Sequence, residues 1–138
     1  MGDAVDREMS PELWRYRQFV GSLQAIAMAA GDQISLFPTQ ANVVSELISD
    51  FSIWDWAIAN NKVPTPVGDD EVMPNGIHEK LVELCGILRS IYEDATSDWS
   101  AANDALFTDQ RWGQARSVAA NVLRTLGWEL LTKDELSR

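Results

Sequence analysis

The sequence is poorest in the residues that carry most protein chemistry. Cys85 is the only cysteine and His78 the only histidine. One thiol forms no intramolecular disulfide and no cysteine-based zinc site. Any nucleophile–histidine–acid arrangement would depend on His78 alone, and its place at the start of a predicted helix fits a solvated or capping side chain. A glycine-rich phosphate loop, an HExxH helix and an EF-hand loop are all missing. Neither a structural metal nor a cofactor is expected.

Positive charge is also scarce. Lys and Arg total 11 against 21 Asp and Glu, a formal net charge of -10 over 138 residues. The acids are spread along the chain rather than gathered in a tail. Phosphate backbones and anionic lipid surfaces both call for local positive charge, so direct binding to nucleic acid or to a membrane surface is disfavoured. The natural electrostatic complement is a basic protein surface, although acidity by itself also serves solubility. No apolar run approaches the ~20 residues of a membrane span. Met1-Gly2-Asp3-Ala4-Val5-Asp6 lacks the basic and apolar regions of a signal peptide, and Asp6 stands where a myristoylation signal has Ser or Thr. A cytoplasmic protein is the expectation.

What the chain does have is apolar residues at helical spacing. The hydrophobic share is 46%, enough for a core, and six of the twelve aromatic residues are Trp. Ser10-Pro11-Glu12 reads as a helix start: a capping hydroxyl, a proline at the first turn and an acid at the positive end. The helix it opens is predicted to run to about Ala30, with Tyr16, Phe19, Val20, Leu23, Ile26, Ala27 and Ala30 on one side. Gly31-Asp32 would stop it, with an extension through Ile34-Ser35-Leu36 as the alternative. After Pro38, with Thr39 as cap, a second helix is predicted over 40–60 with the stripe Val44, Leu47, Ile48, Phe51, Trp54 and Ile58, closed by Asn60-Asn61. Residues 61–76 hold three prolines and two glycines and read as a long functional or mobile loop. Ile77, Leu81, Leu84, Leu88, Ile91 and Ala95 mark a third helix. The same phase continues through Trp99, Ala102 and Leu106, in one helix or in two with a break near Thr96-Ser97. Asp109 caps the last helix, with the stripe Ala115, Val118, Ala119, Val122, Leu126 and Leu130, and Thr132-Lys133-Asp134-Glu135 ends it. The whole is an all-α, single-domain bundle of four to six helices over residues 1–138, frayed at 1–9.

Several large residues fall off these stripes. Trp14 lies opposite Leu23, Ile53 and Trp56 lie opposite Phe51, and Trp128 is well off the Val122 line. They are either second-face core residues or a contact surface, and Trp is favoured at binding hot spots. Asp55, at the core-facing edge beside Phe51 and Trp54, reads as a cap or as a partner for Arg15 or Arg111. Arg89, Arg111, Arg116 and Arg124 read as surface or inter-helix pairs.

Carboxylates are the one chemical opening. Glu79 and Glu83 are four apart and share a helix face; Glu93, Asp94 and Asp98 follow. Helix carboxylates can bind Mg²⁺, and residues 79–98 resemble the all-α nucleotide pyrophosphohydrolases of the MazG/dUTPase type, which carry E-E-x-x-E on one helix and E-x-x-D on a second. The resemblance implies a metal-dependent nucleotide hydrolase using Glu79, Glu83, Glu93 and Asp98. The chain departs from the motif: no doubled Glu is present, the third residue after Glu93 is Thr96, and Lys80 adds a cation.

Three functions follow from these residues. The first is a non-catalytic binder, an acidic inhibitor of the toxin-immunity or phage anti-defence type, whose carboxylates cover a basic surface of another protein. Its expected contact residues are Trp56 and Ile53 flanked by Glu46 and Asp50. The second is the pyrophosphohydrolase. The third is a structural or adaptor homodimer joined through the off-stripe Trp face.

Overall fold

The computed structural model describes residues 10–65, 74 and 76–131. Among them lie seven helices and no strand: α1 (Pro11–Ala27), α2 (Ala30–Ser35), α3 (Val43–Ser52), α4 (Asp55–Ala59), α5 (Ile77–Asp94), α6 (Trp99–Thr108) and α7 (Gln110–Thr125). The expected fraying of 1–9 and the end at Thr132-Lys133-Asp134-Glu135 lie outside the described residues, as does most of the 61–76 loop. The described start of that loop is tucked in, with Val63 and Thr65 buried.

The fold is all-helical, but seven helices replace the expected four to six because three long periodic stretches are broken. The first break is at Met28-Ala29, where both residues turn to extended backbone (ψ 155° and 151°). The buried Gln33 makes this possible. Its Nε2 donates to the Ala25 and Ile26 carbonyls at 3.1 and 3.0 Å, supplying partners to oxygens that a helix end leaves open. The second break, at Ile53-Trp54, splits the predicted 40–60 helix. That helix also starts later than expected: Pro38 to Ala41 form a turn with Gln40 at φ +70°, so Asn42 rather than Thr39 is the cap, its side chain accepting from Ser45 N–H at 3.1 Å. The third break falls at 95–98, where Asp98 caps α6 through Ser100 N–H at 3.0 Å. Interruption there costs the Ala95–Trp99 phase its meaning, and both residues are exposed.

Helix ends follow the local chemistry of the chain. Ser10 Oγ accepts from Leu13 N–H at 3.1 Å, with Pro11 behind it. α4 ends with Asn61 in the left-handed region (φ +53°), and Lys62 N–H reaches back to Ala57 O at 2.7 Å. α7 ends the same way on Gly127 (φ +88°), with Trp128 N–H on Leu123 O at 2.9 Å. Both are Schellman closures, which need a residue tolerant of positive φ. The second sends the chain back over α1. Trp128 Nε1 donates to Tyr16 Oη at 2.9 Å, and the buried Gln24 clasps Glu129 O and Leu131 N–H at 2.7 and 2.9 Å. Trp128 is thus half-buried against the core, and Leu130, expected on the α7 stripe, lies past the helix and is exposed.

α7 is the centre of the packing, lying against α1 on one side and α5 on the other; α3 meets α1, α5 and α6, and α4 rests on α5. Their stripes meet in one core cluster that includes Phe19, Leu23, Leu47, Phe51, Leu81, Leu84, Leu106, Trp112 and Leu123. Full burial of such side chains contributes about 1.5–3 kcal/mol each. Polar clamps fix the surrounding helices. Asn103 on α6 accepts from Val43 N–H and donates to Ala41 O, both at 2.9 Å. Gln33 accepts from Arg116 Nη2 at 3.0 Å, and the same guanidinium donates to Leu106 O.

Candidate partner-binding surface

The outer face of α3 is set by its spacing. Val44, Leu47, Ile48 and Phe51 are buried, which turns Glu46, Asp50 and Ile53, at i, i+4 and i+7, toward solvent in one row. Both carboxylates are exposed. At the end of that row the chain bends. Trp54 goes inward: its ring meets Phe19 edge-on at 5.3 Å between centroids, and its Nε1 donates to Ser22 Oγ at 3.0 Å. With Trp54 pinned and Ala57 and Ile58 buried on α4, the remaining side chains of the short helix face out. Trp56 is 65% exposed and Ile53 69%. The structure therefore brings Glu46, Asp50 and Ile53 onto one face and places Trp56 three residues on, across the α3–α4 junction.

Asp55 has a different neighbour from those expected. Arg111 is engaged elsewhere: it bridges Asp94 and Asp109, each at 2.8 Å, and donates to Ser90 O at 3.0 Å. Asp55 Oδ1 instead accepts from Cys85 Sγ at 3.6 Å. Burial, with the adjacent Asp55 charge next in weight, pushes the Cys85 thiol up to about 12. A thiol with so high a pKa is a poor nucleophile near neutrality. Asp55, Cys85 and Arg89 share a trough of about 260 Å³ between α3 and α5, with exposed Tyr92 at its end.

The carboxylates named for metal chemistry have other places. Glu79 and Glu83 are exposed on α5, Asp94 is tied to Arg111, and Asp98 caps α6. Among the described residues no three His, Cys, Asp or Glu side chains form a group that could hold a metal ion, and no helix is long and apolar enough to cross a membrane.

Exposed Tyr92, Phe107 and Val82 went unnoticed in the sequence because each sits in a helix whose stripe is otherwise regular. A groove between α1 and α3, holding Gly21 and Asp50, was also missed. Its one sequence signal is a glycine in a helix interior, a position where glycine is costly. Comparison with protein-family models, curated proteins and solved structures gives no match.

Proposed function

We propose that this chain is a non-catalytic protein-binding protein, an acidic inhibitor of the toxin-immunity or phage anti-defence kind, that covers a basic surface of a partner protein. The observation that carries the reading is the junction of α3 and α4, where Ile53 and Trp56 stand 69% and 65% exposed beside the exposed Glu46 and Asp50. Large apolar side chains held in water by a well-packed scaffold gain by burial against a second molecule. An aromatic anchor with a charged rim divides the work. The carboxylates speed encounter with a basic surface, and the indole slows release. The net charge of -10 extends the attraction beyond the patch.

The test is affinity capture from the native host with wild-type protein and with the double variant Glu46→Lys/Asp50→Lys, followed by association kinetics on the recovered protein. The proposal expects a partner with a basic contact surface, an association rate that falls steeply with added salt, and slower association with the double variant. A partner whose association ignores both salt and the charge reversal contradicts it.

A further inference from the structure

A groove of about 370 Å³ runs between α1 and α3, with Arg17, Gln18, Gly21 and Ala25 on the α1 side and Leu47 and Asp50 on the α3 side. That volume falls within the range of about 300–1,000 Å³ typical of binding pockets. A Cβ placed on Gly21 would meet nothing within 4 Å, so the groove is open down to the α1 backbone. On α1, Gln18, Gly21 and Ala25 line it, and Trp14, 59% exposed, lies one turn before Gln18 on the same face. On α3, Asp50 lines it, and the exposed Glu46 lies one turn before Asp50, outside the groove. Arg17 stands on the wall opposite Asp50.

We infer that the occupant of this groove is an amphipathic helix of the partner protein, basic along one edge. Its apolar side chains enter over Gly21, and its Lys or Arg side chains reach Asp50 and Glu46. This rests on the reading of the chain as an acidic partner-binding protein and extends that surface from the α3–α4 junction onto α1. The helical form follows from what the face offers. Strand addition needs an open sheet edge, and the described residues contain no strand. Two helices packed side by side leave a channel into which the ridge of a third fits. The row from Trp14 to Ala25 spans about 16 Å, or three turns. The charge follows from the walls: Glu46 and Asp50 select a basic edge on the α3 side, and Arg17 rejects one on the α1 side.

The probe is a synthetic peptide of ~18 residues, long enough to form helix on the surface, with Leu at i, i+3, i+4 and i+7, Lys along one flank and Gln elsewhere. A control peptide carries Glu in place of Lys. Amide chemical shifts are followed during titration of the full chain. The Lys peptide is expected to move the signals of Gly21, Ala25, Leu47 and Asp50, and the Glu peptide to bind at least about tenfold more weakly. Gly21→Phe fills the groove at a site with open space, and phenylalanine suits a helix interior better than glycine. It should weaken the Lys peptide at least about tenfold, a loss of about 1.4 kcal/mol. Gly21→Leu, a smaller filler at the same site, gives the same reading should Gly21→Phe not fold. Shifts confined to the α3–α5 trough, or an affinity unchanged in the folded variants, overturn the inference. If Gly21→Phe leaves the captured partner bound as in wild type while Asp50→Lys weakens it, the groove fails and the acidic patch stands. If neither variant affects the captured partner, the functional reading fails as well.

Discussion

Trp54 and Trp56 are two residues apart in the chain and meet opposite surroundings. Trp54 is 6% exposed, edge-on to Phe19 and hydrogen-bonded to Ser22; Trp56 is 65% exposed. The same contrast separates two regions of the molecule. Where α1, α5 and α7 pack together, every large apolar side chain facing inward has a neighbour, and even Trp112 is fully enclosed with its Nε1–H unpartnered. At the α3–α4 junction Trp54, Ala57 and Ile58 turn inward, and the aromatic between them, Trp56, is left in water. An unpartnered indole N–H inside costs on the order of 1–3 kcal/mol, a price the core tolerates because the rest of the ring is buried. No such gain accompanies Trp56 in the isolated chain. The difference separates residues held by folding from residues that folding leaves unused.

Disrupting the packed region should have the largest effect. Phe19→Ala removes a ring at the contact with Trp54 and should cost about 3–5 kcal/mol of stability, read from chemical denaturation. A loss below about 1 kcal/mol would mean that this side chain is not in a tight core.

Next in size is the polar clamp behind the first helix break. Gln33→Leu leaves the Ala25 and Ile26 carbonyls and the Arg116 guanidinium without the bonds that Gln33 makes. Burial already disfavours the charged form of Arg116, so the loss of an acceptor adds to the cost. The expected loss is about 1–3 kcal/mol, with amide exchange rising first at the end of α1 and in α2. Exchange unchanged there would show that Gln33 does not hold the break.

A smaller effect concerns acid. Hydrogen bonding from the Arg111 side chain holds the Asp109 carboxyl below its ordinary value of 3.8. A carboxyl with a lowered folded-state pKa contributes stability above its unfolded value, and that contribution is lost as pH falls through the folded value. The wild-type melting temperature should therefore drop as pH falls below about 4. Asp109→Asn keeps the cap and removes only the partly exposed ion pair with Arg111, so it should lower stability at pH 7 by no more than about 0.5–1 kcal/mol. It should also show a shallower acid decline. An acid profile identical to wild type would remove Asp109 from the account.

The buried stripes were legible in the sequence because burial repeats with the helical period; Tyr16, Phe19, Leu23, Leu47, Phe51, Leu81, Leu84 and Val122 all lie inside. The breaks were less legible. Nothing in Met28-Ala29 breaks a helix by itself, and the stop depends on Gln33, five residues later. At 53–54 the stop depends on Trp54 reaching Ser22 and Phe19 across the fold. Leu130 is exposed because the helical stripe does not continue past Gly127, where the helix has closed; Trp128, off that stripe, packs against the core as a second-face residue. Trp56 and Ile53 fall off the stripe, and their exposure follows from that spacing. Asp55 stands exposed at the start of α4, and its neighbour Cys85 comes from α5, which no local pattern announces.

On the proposed function, Trp56 belongs to a contact surface and not to the core. The direct measurement is Trp56→Ala, with stability and partner affinity determined on the same folded sample. Stability is expected within about 0.5 kcal/mol of wild type, with binding weaker by more than about 1 kcal/mol. A loss of about 3–5 kcal/mol in folding stability, as for a core tryptophan, with affinity unchanged in the molecules that remain folded, would contradict it.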